Sequence, residues 1–381
     1  RSGHKLNALR ATIKAREVGM VRNGVYPDLN LNHLRRLTDR TGIIQHAVYA
    51  LPDYRTGYTT DDNARALLAA LQVYQHLQAP EALELAESYL GFLRYAQRPD
   101  GKWHNFVDYT RCFLDEEGSE DAFGRALWAL GYAAASLPEH YLGRAAKDML
   151  DRALPWSAGL TYPRAKAFAL LGLGYYYSAF PSEQIRGLIC LLADWFPAAL
   201  EREQTREWQW FEPRLTYSNA ILPAALVMAY RITGHRPYWQ TAVRALDFLT
   251  GLHLANGHLK LVGNKGWYFR DSRPAPFDEQ PEDAGCLVLA YTLAYWVSRE
   301  REYLRLAEKS FGWFLGQNEL GVALYDCESG GCCDGLTPHG PNPNQGAESL
   351  LAYLLSRLAV ETAGRLEEGK EEAAVPLVVP C

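Results

Sequence analysis

Six buried helices alternating with six amphipathic ones, closed into an all-α (α/α)6 toroid, is the fold this sequence predicts, and three observations predict it. A short cluster of acids, Asn or Arg followed at once by a run of Ala, Leu, Gly and aromatic residues recurs six times along the 381 residues. The runs that follow the clusters are apolar on every side, which requires a helix to be buried all round, whereas the runs between them carry one apolar stripe. Strand-like alternation is confined to connections such as 257–268, so βαβ folds and sandwiches lack their strands.

Taken in order, the first inner helix is announced by Asp61-Asp62-Asn63-Ala64-Arg65-Ala66-Leu67 and the second by Glu120-Asp121-Ala122-Phe123-Gly124-Arg125-Ala126. Looser copies open the other four, at Arg164-Ala165-Lys166, Tyr217-Ser218-Asn219, Glu282-Asp283-Ala284 and Gln345-Gly346-Ala347-Glu348. With Asn63, Asp121, Ala165, Asn219, Asp283 and Ala347 as anchors, the spacings are 58, 44, 54, 64 and 64 residues, room for one helical hairpin each. The outer helices are read at 81–97, 238–252 and 302–317, where Lys, Arg and Glu mix with a Leu/Phe/Trp stripe. Up-down connectivity then puts all six inner-helix N-termini on one face, where their polar clusters converge on a funnel. Acids at these positions are also ordinary N-caps or first-turn residues favoured by the helix dipole. Arg65, Arg125 and Lys166 are not, because a cation in a first turn opposes the dipole and needs another reason.

The length allows a large core, and 48% hydrophobic with 22% charged residues excludes a disordered or fibrous chain. A net charge of −5 leaves no basic footprint for nucleic acid, and no apolar run reaches the roughly 18 residues of a membrane span. Seven cysteines, odd in number and without a regular framework, favour a reducing compartment, so a cytoplasmic location is expected. The expected organisation is an N-terminal extension over 1–27, the toroid over 28–362 and a flexible tail over 363–381. The 23 Tyr, 10 Trp and 13 Phe suit either a large helical core or a surface that stacks on cyclic ligands.

The strings Gly42-Ile43-Ile44-Gln45-His46-Ala47, Gly57-Tyr58-Thr59-Thr60-Asp61-Asp62-Asn63 and Asn344-Gln345-Gly346-Ala347-Glu348-Ser349 resemble a helical domain found with bacterial glycosyltransferases and mannoside phosphorylases. The pattern as a whole resembles the six-hairpin glycosidases. That resemblance implies a carbohydrate-active toroid, an oligosaccharide substrate that includes mannose, and a glycosyltransferase domain or partner. In the wider group, unsaturated-glucuronyl hydrolases keep their key aspartates at early inner-helix N-termini, which here are Asp61 or Asp62 and Glu120 or Asp121.

Glycoside hydrolysis needs one protonated and one ionised carboxyl, and crowding like charges raises one pKa. Asp62 and Asp121 are the expected catalytic pair, with inversion as the outcome the resemblance implies; inversion would set the two carboxyls about 6.5–9.5 Å apart. Asp61, Arg65, Glu120, Asp283, Gln345 and Glu348 are expected around the substrate, with Asp62, Asp121, Asp283 and Glu348 sharing one cavity. Trp103 is read as a sugar-stacking platform beside His104, and Trp210 and Trp267 as further saccharide subsites, with core packing the rival for each tryptophan. No cofactor is expected. The Cys327…Cys332-Cys333 string with His339 fits zinc-ligand spacing poorly, so it is read as a Gly/Pro-rich loop over the funnel and no metal is expected. Two other functions compete: a sugar epimerase or isomerase moving protons with His46, His104 or His339, and a non-catalytic saccharide-binding domain serving a glycosyltransferase.

Overall fold

A computed structural model describes residues 26–367. The inner helices span Thr60–Leu77, Glu120–Ser136, Pro163–Ala179, Ile221–Thr233, Pro281–Ser298 and Ala347–Glu367. Each packs against the next and the sixth closes on the first, so the chain forms an (α/α)6 toroid. The second and third pack backbone to backbone: a Cβ on Gly131 would stand 2.1 Å from the Gly172 carbonyl oxygen, and one on Gly124 2.7 Å from that of Ala165. This is the physical reason the inner runs are rich in Gly and Ala.

The outer layer comprises Pro80–Ala96, Tyr141–Ser157, Glu183–Ala193 with Trp195–Glu203, Arg236–His253 and Arg301–Gly312, and the short helix Asn32–Leu37 lies against the sixth inner helix. The outer ring thus departs from six equal helices. Its third member breaks at Asp194, and only six residues of helix occupy the remaining place among the described residues. The strands are two-residue antiparallel pairs confined to connections. Of the segment expected to alternate over 257–268, only Tyr268 is in a strand, where it pairs with Leu215. The sixth inner helix runs to Glu367, past the boundary expected at 362. The 1–25 part of the expected extension and residues 368–381 of the tail lie outside the described residues.

The two faces of the ring differ. Connections from inner to outer helices are short, at 78–79, 137–140, 180–182, 234–235 and 299–300, whereas those from outer to inner helices include the long segments 97–119, 204–220, 254–280 and 313–346. The long ones all stand at the N-termini of inner helices, so one face is built up by loops and the other is bare. No helix among the described residues is long and apolar enough to cross a membrane.

Candidate active site

Of the cations expected in first turns, Arg65 and Arg125 stand instead on second turns, and both meet carboxylates. Arg65, on the second turn of the first inner helix, reaches four carboxylates: Asp61 and Asp62 on its own helix, Glu282 on the fifth (3.2 Å) and Glu348 on the sixth (3.0 Å). Arg125, on the second inner helix, pairs with Glu282 at 2.7 Å and with Asp61 at 3.0 Å, and lies over the Phe168 ring. In a ring of six, the second and fifth helices stand opposite each other, so the Arg125–Glu282 pair crosses the axis. It forms a charged floor across the ring, under the loop-bearing face where the funnel was expected.

Within this floor the carboxyls differ sharply. Burial by itself pushes Glu282 up, but the Arg125 and Arg65 guanidiniums and the Ser218 hydroxyl, which donates at 2.8 Å, bring it down to about 2. Burial raises Asp62 to about 7, Arg65 opposing and Asp61 and Glu348 adding to the rise. Both Asp62 oxygens are taken, one by Thr59 Oγ1 at 2.8 Å and one by Arg65, and Thr59 in turn caps the Asp62 amide. That reciprocal arrangement is a variant of the capping box, with Asp in place of Glu and the Thr59 hydroxyl as its donor. Asp61 is the more accessible of the pair, with 29% of its side chain exposed against 5% for Asp62. Its Oδ1 lies 3.0 Å from nitrogens of both arginines, an ion-pair distance at which neither N–H bond is aligned on the oxygen.

Asp121 stands beside this floor on the second inner helix. Its Oδ2 accepts from the Tyr217 hydroxyl at 2.6 Å, and burial raises its carboxyl against that bond and the Arg125 charge. Arg164, from the third inner helix, bonds Glu212 and Asn219 and lies over the Tyr217 ring, which fixes the loop that carries Tyr217. Lys166 donates to the Leu160 carbonyl. His104 stays at the rim, half-buried, its ring stacked 4.0 Å from Phe113 and its Nδ1 at the Asp115 carbonyl. Trp267 is half-buried on the long loop before the fifth inner helix.

Several expectations are corrected. Trp103 is 1% exposed, donates to the Leu93 carbonyl and packs on Phe123, so it is core and offers no face to a sugar. Trp210 is fully buried against Phe211 and Phe248. Both were drawn inward because an indole buries a large apolar area. Glu120 turns to the next connection, accepting from the amides of Thr161 and Tyr162 and the Thr161 hydroxyl. Gln345 is buried and ties the last loop through Ser329 and Asp326. Asp283 does not join Asp62 and Glu348 at Arg65. It faces a small interior pocket with Asn219, Leu249 and His253, both oxygens lacking a hydrogen-bond partner, and burial raises it to about 8. The residues that sequence reasoning passed over as ligands of the site are Tyr217 and Ser218. They stand in the fourth polar cluster yet act on carboxylates of the second and fifth helices.

Among the described residues no group of three His, Cys, Asp or Glu side chains is placed to hold a metal ion. Cys332 is buried and Cys327 exposed on the Gly/Pro-rich loop, which Asp334 fastens to the sixth inner helix through the Gly346 amide and the Ser349 hydroxyl.

No family model and no curated protein sequence matches the chain. Solved structures do. The cellobiose 2-epimerase of Bacillus thermoamylovorans superposes with a TM-score of 0.70 at 15% identity, covering 88% of this chain and 96% of its own. A D-mannose isomerase gives 0.66 at 13%, covering 87% and 94%, and the α-1,6-mannanase of Salegentibacter sp. HEL1_6 gives 0.62 at 12%, covering 88% and 97%. At these identities the likeness concerns the fold, and it makes this chain an (α/α)6 toroid of the architecture those sugar-converting enzymes share.

Proposed function

We propose that the chain is a glycoside hydrolase whose funnel takes an oligosaccharide, with Asp121 as general acid and a carboxylate of the Asp61–Asp62 pair as base. The observation that carries this reading is the contrast between carboxyls in one small region. Burial raises Asp121 in spite of the Tyr217 bond to one of its oxygens, and a carboxyl raised by burial is the condition for a proton donor, while Asp61 is held against two guanidiniums. Asp62 has both oxygens occupied and is nearly inaccessible, so Asp61 is the member of the pair we assign to water activation.

A mannose-containing substrate is supported by analogy. The Salegentibacter mannanase has been solved with α-1,6-mannotetrose in a variant inactivated by replacing two adjacent aspartates. Asp61 and Asp62 are such an adjacent pair. The epimerase reading gains from the higher likeness to the cellobiose 2-epimerase, and proton movement at a carbon most often uses histidines. Here His104 is engaged with Asp115 and Phe113, and His46 and His339 are exposed on loops. A glycosyltransferase domain or partner is part of the same proposal.

The test is turnover of manno- and gluco-oligosaccharides, with products separated by chromatography and their anomers followed by NMR. Hydrolysis with inversion is expected, and Asp121→Asn and Asp61→Asn should each cut the rate at least about a hundredfold. An epimer or ketose product would replace hydrolase by epimerase. Saccharide binding without turnover, unchanged in Asp121→Asn, would leave a binding domain.

A further inference from the structure

Below the ion-paired floor, on the side away from the funnel, the ring axis is hollow. A cavity of about 250 Å³ runs from Arg65, Arg125 and Glu282 toward the bare face, where Gln75, His76, Trp296 and Thr362 are half-exposed at its mouth. Its walls are mostly apolar and aromatic, with Trp128, Leu289 and Leu355 among them. A dry apolar cavity of about 150 Å³ already suffices to bind benzene. At the inner end three buried donors lack a hydrogen-bond acceptor, Arg65 Nε, Arg125 Nε and Trp128 Nε1; Arg125 Nε has the misaligned Asp61 Oδ1 at 3.0 Å, which leaves Arg65 Nε and Trp128 Nε1, in residues 3% and 7% exposed. Orphaned donors at the bottom of an apolar cavity call for an acceptor oxygen. The acceptor is uncharged by the same reasoning, because Arg65 and Arg125 are already faced by Asp61, Asp62, Glu282 and Glu348.

We propose that this axial cavity is a second ligand site, distinct from the funnel, for an uncharged molecule with an alkyl or aryl body and one terminal oxygen. The oxygen accepts from Trp128 and Arg65 and the body lies along Leu289 and Leu355. The floor is shared, so a ligand there lies against the underside of Glu282 and the two arginines. The proposal stands whether or not the funnel cleaves a saccharide.

The probe is 1-octanol, with octanoate as its charged counterpart, titrated by calorimetry and tryptophan fluorescence. Saturable octanol binding is expected, at least about tenfold tighter than octanoate, since the anion would add to four carboxylates already set against two arginines. Ala359→Phe and Leu355→Trp, which fill the cavity, should each weaken it by a similar factor, and Trp128→Phe about threefold to tenfold, the loss of one hydrogen bond. A diazirine-bearing octanol should label wild-type peptides containing Leu289, Trp296 or Leu355, a readout that needs no variant. Absence of saturable binding, equal binding of octanoate, unchanged affinity in folded filling variants, or labelling confined to the funnel loops would each overturn the proposal.

Discussion

Replacing Glu282 by Gln tests the floor of the funnel directly. Glu282 accepts from Arg125 at 2.7 Å, Arg65 at 3.2 Å and Ser218 at 2.8 Å, and its carboxyl is brought from an ordinary 4.5 to about 2. A shift of about 2.5 units at 1.36 kcal/mol each corresponds to about 3 kcal/mol of differential interaction. Removing one partner of a buried ion pair costs about 3–5 kcal/mol, so two independent routes give the same size. The folded-state pKa lies below the unfolded one, so this stability is present above pH 4.5 and is lost as pH falls toward about 2. Urea unfolding, followed by tryptophan fluorescence and far-UV circular dichroism, should show Glu282→Gln about 3 kcal/mol less stable at pH 7. The gap should narrow steadily as pH falls from about 4.5 toward about 2. A loss under about 1 kcal/mol at pH 7, or a gap independent of pH, would refute the argument that this pair holds the second and fifth helices together across the axis.

Three further outcomes are expected. Trp103→Ala should cost about 3–5 kcal/mol of stability in urea, as for a large core aromatic, while saccharide affinity measured on the folded fraction stays unchanged. Tyr217→Phe removes the bond that lowers Asp121, so the acid stays protonated to higher pH and the alkaline limb of kcat/KM should move up, by no more than one bond to a carboxylate is worth, about 1.5–3 kcal/mol; a downward or absent shift counts against Asp121 as the acid. Asp283 is raised from 3.8 to about 8, so its ionisation drains stability as pH rises between those values. Asp283→Asn should therefore match wild type near the lower value and become progressively more stable than it as pH rises toward the upper one, and parallel stability–pH curves would show the carboxyl to be solvated.

What the sequence by itself determined is the ring and the face on which the inner-helix N-termini gather. The recurrence of polar cluster and all-round apolar run reflects helix period and burial, both local properties, and it located all six inner helices within a few residues of their observed starts. The misplaced cations were a second local signal. Arg65 and Arg125, read from the sequence as first-turn cations, stand on the second turns of their helices, but the expectation that each needed acids from elsewhere is met by the carboxylates of other helices. Tertiary structure alone decided which acids those are. Glu282 meets Arg125 only because the second and fifth helices face each other across a closed ring, a relation that no spacing along the chain encodes. It also decided which member of each acidic pair stays accessible, through Thr59 capping Asp62 and the Thr161 backbone claiming Glu120. Trp103 and Trp210 went inward for the same kind of reason: in sequence a buried indole and a sugar platform look alike, and what separates them is whether neighbouring elements close over the ring. The axial cavity belongs wholly to this second category, since it exists only as the space that six helices leave between them.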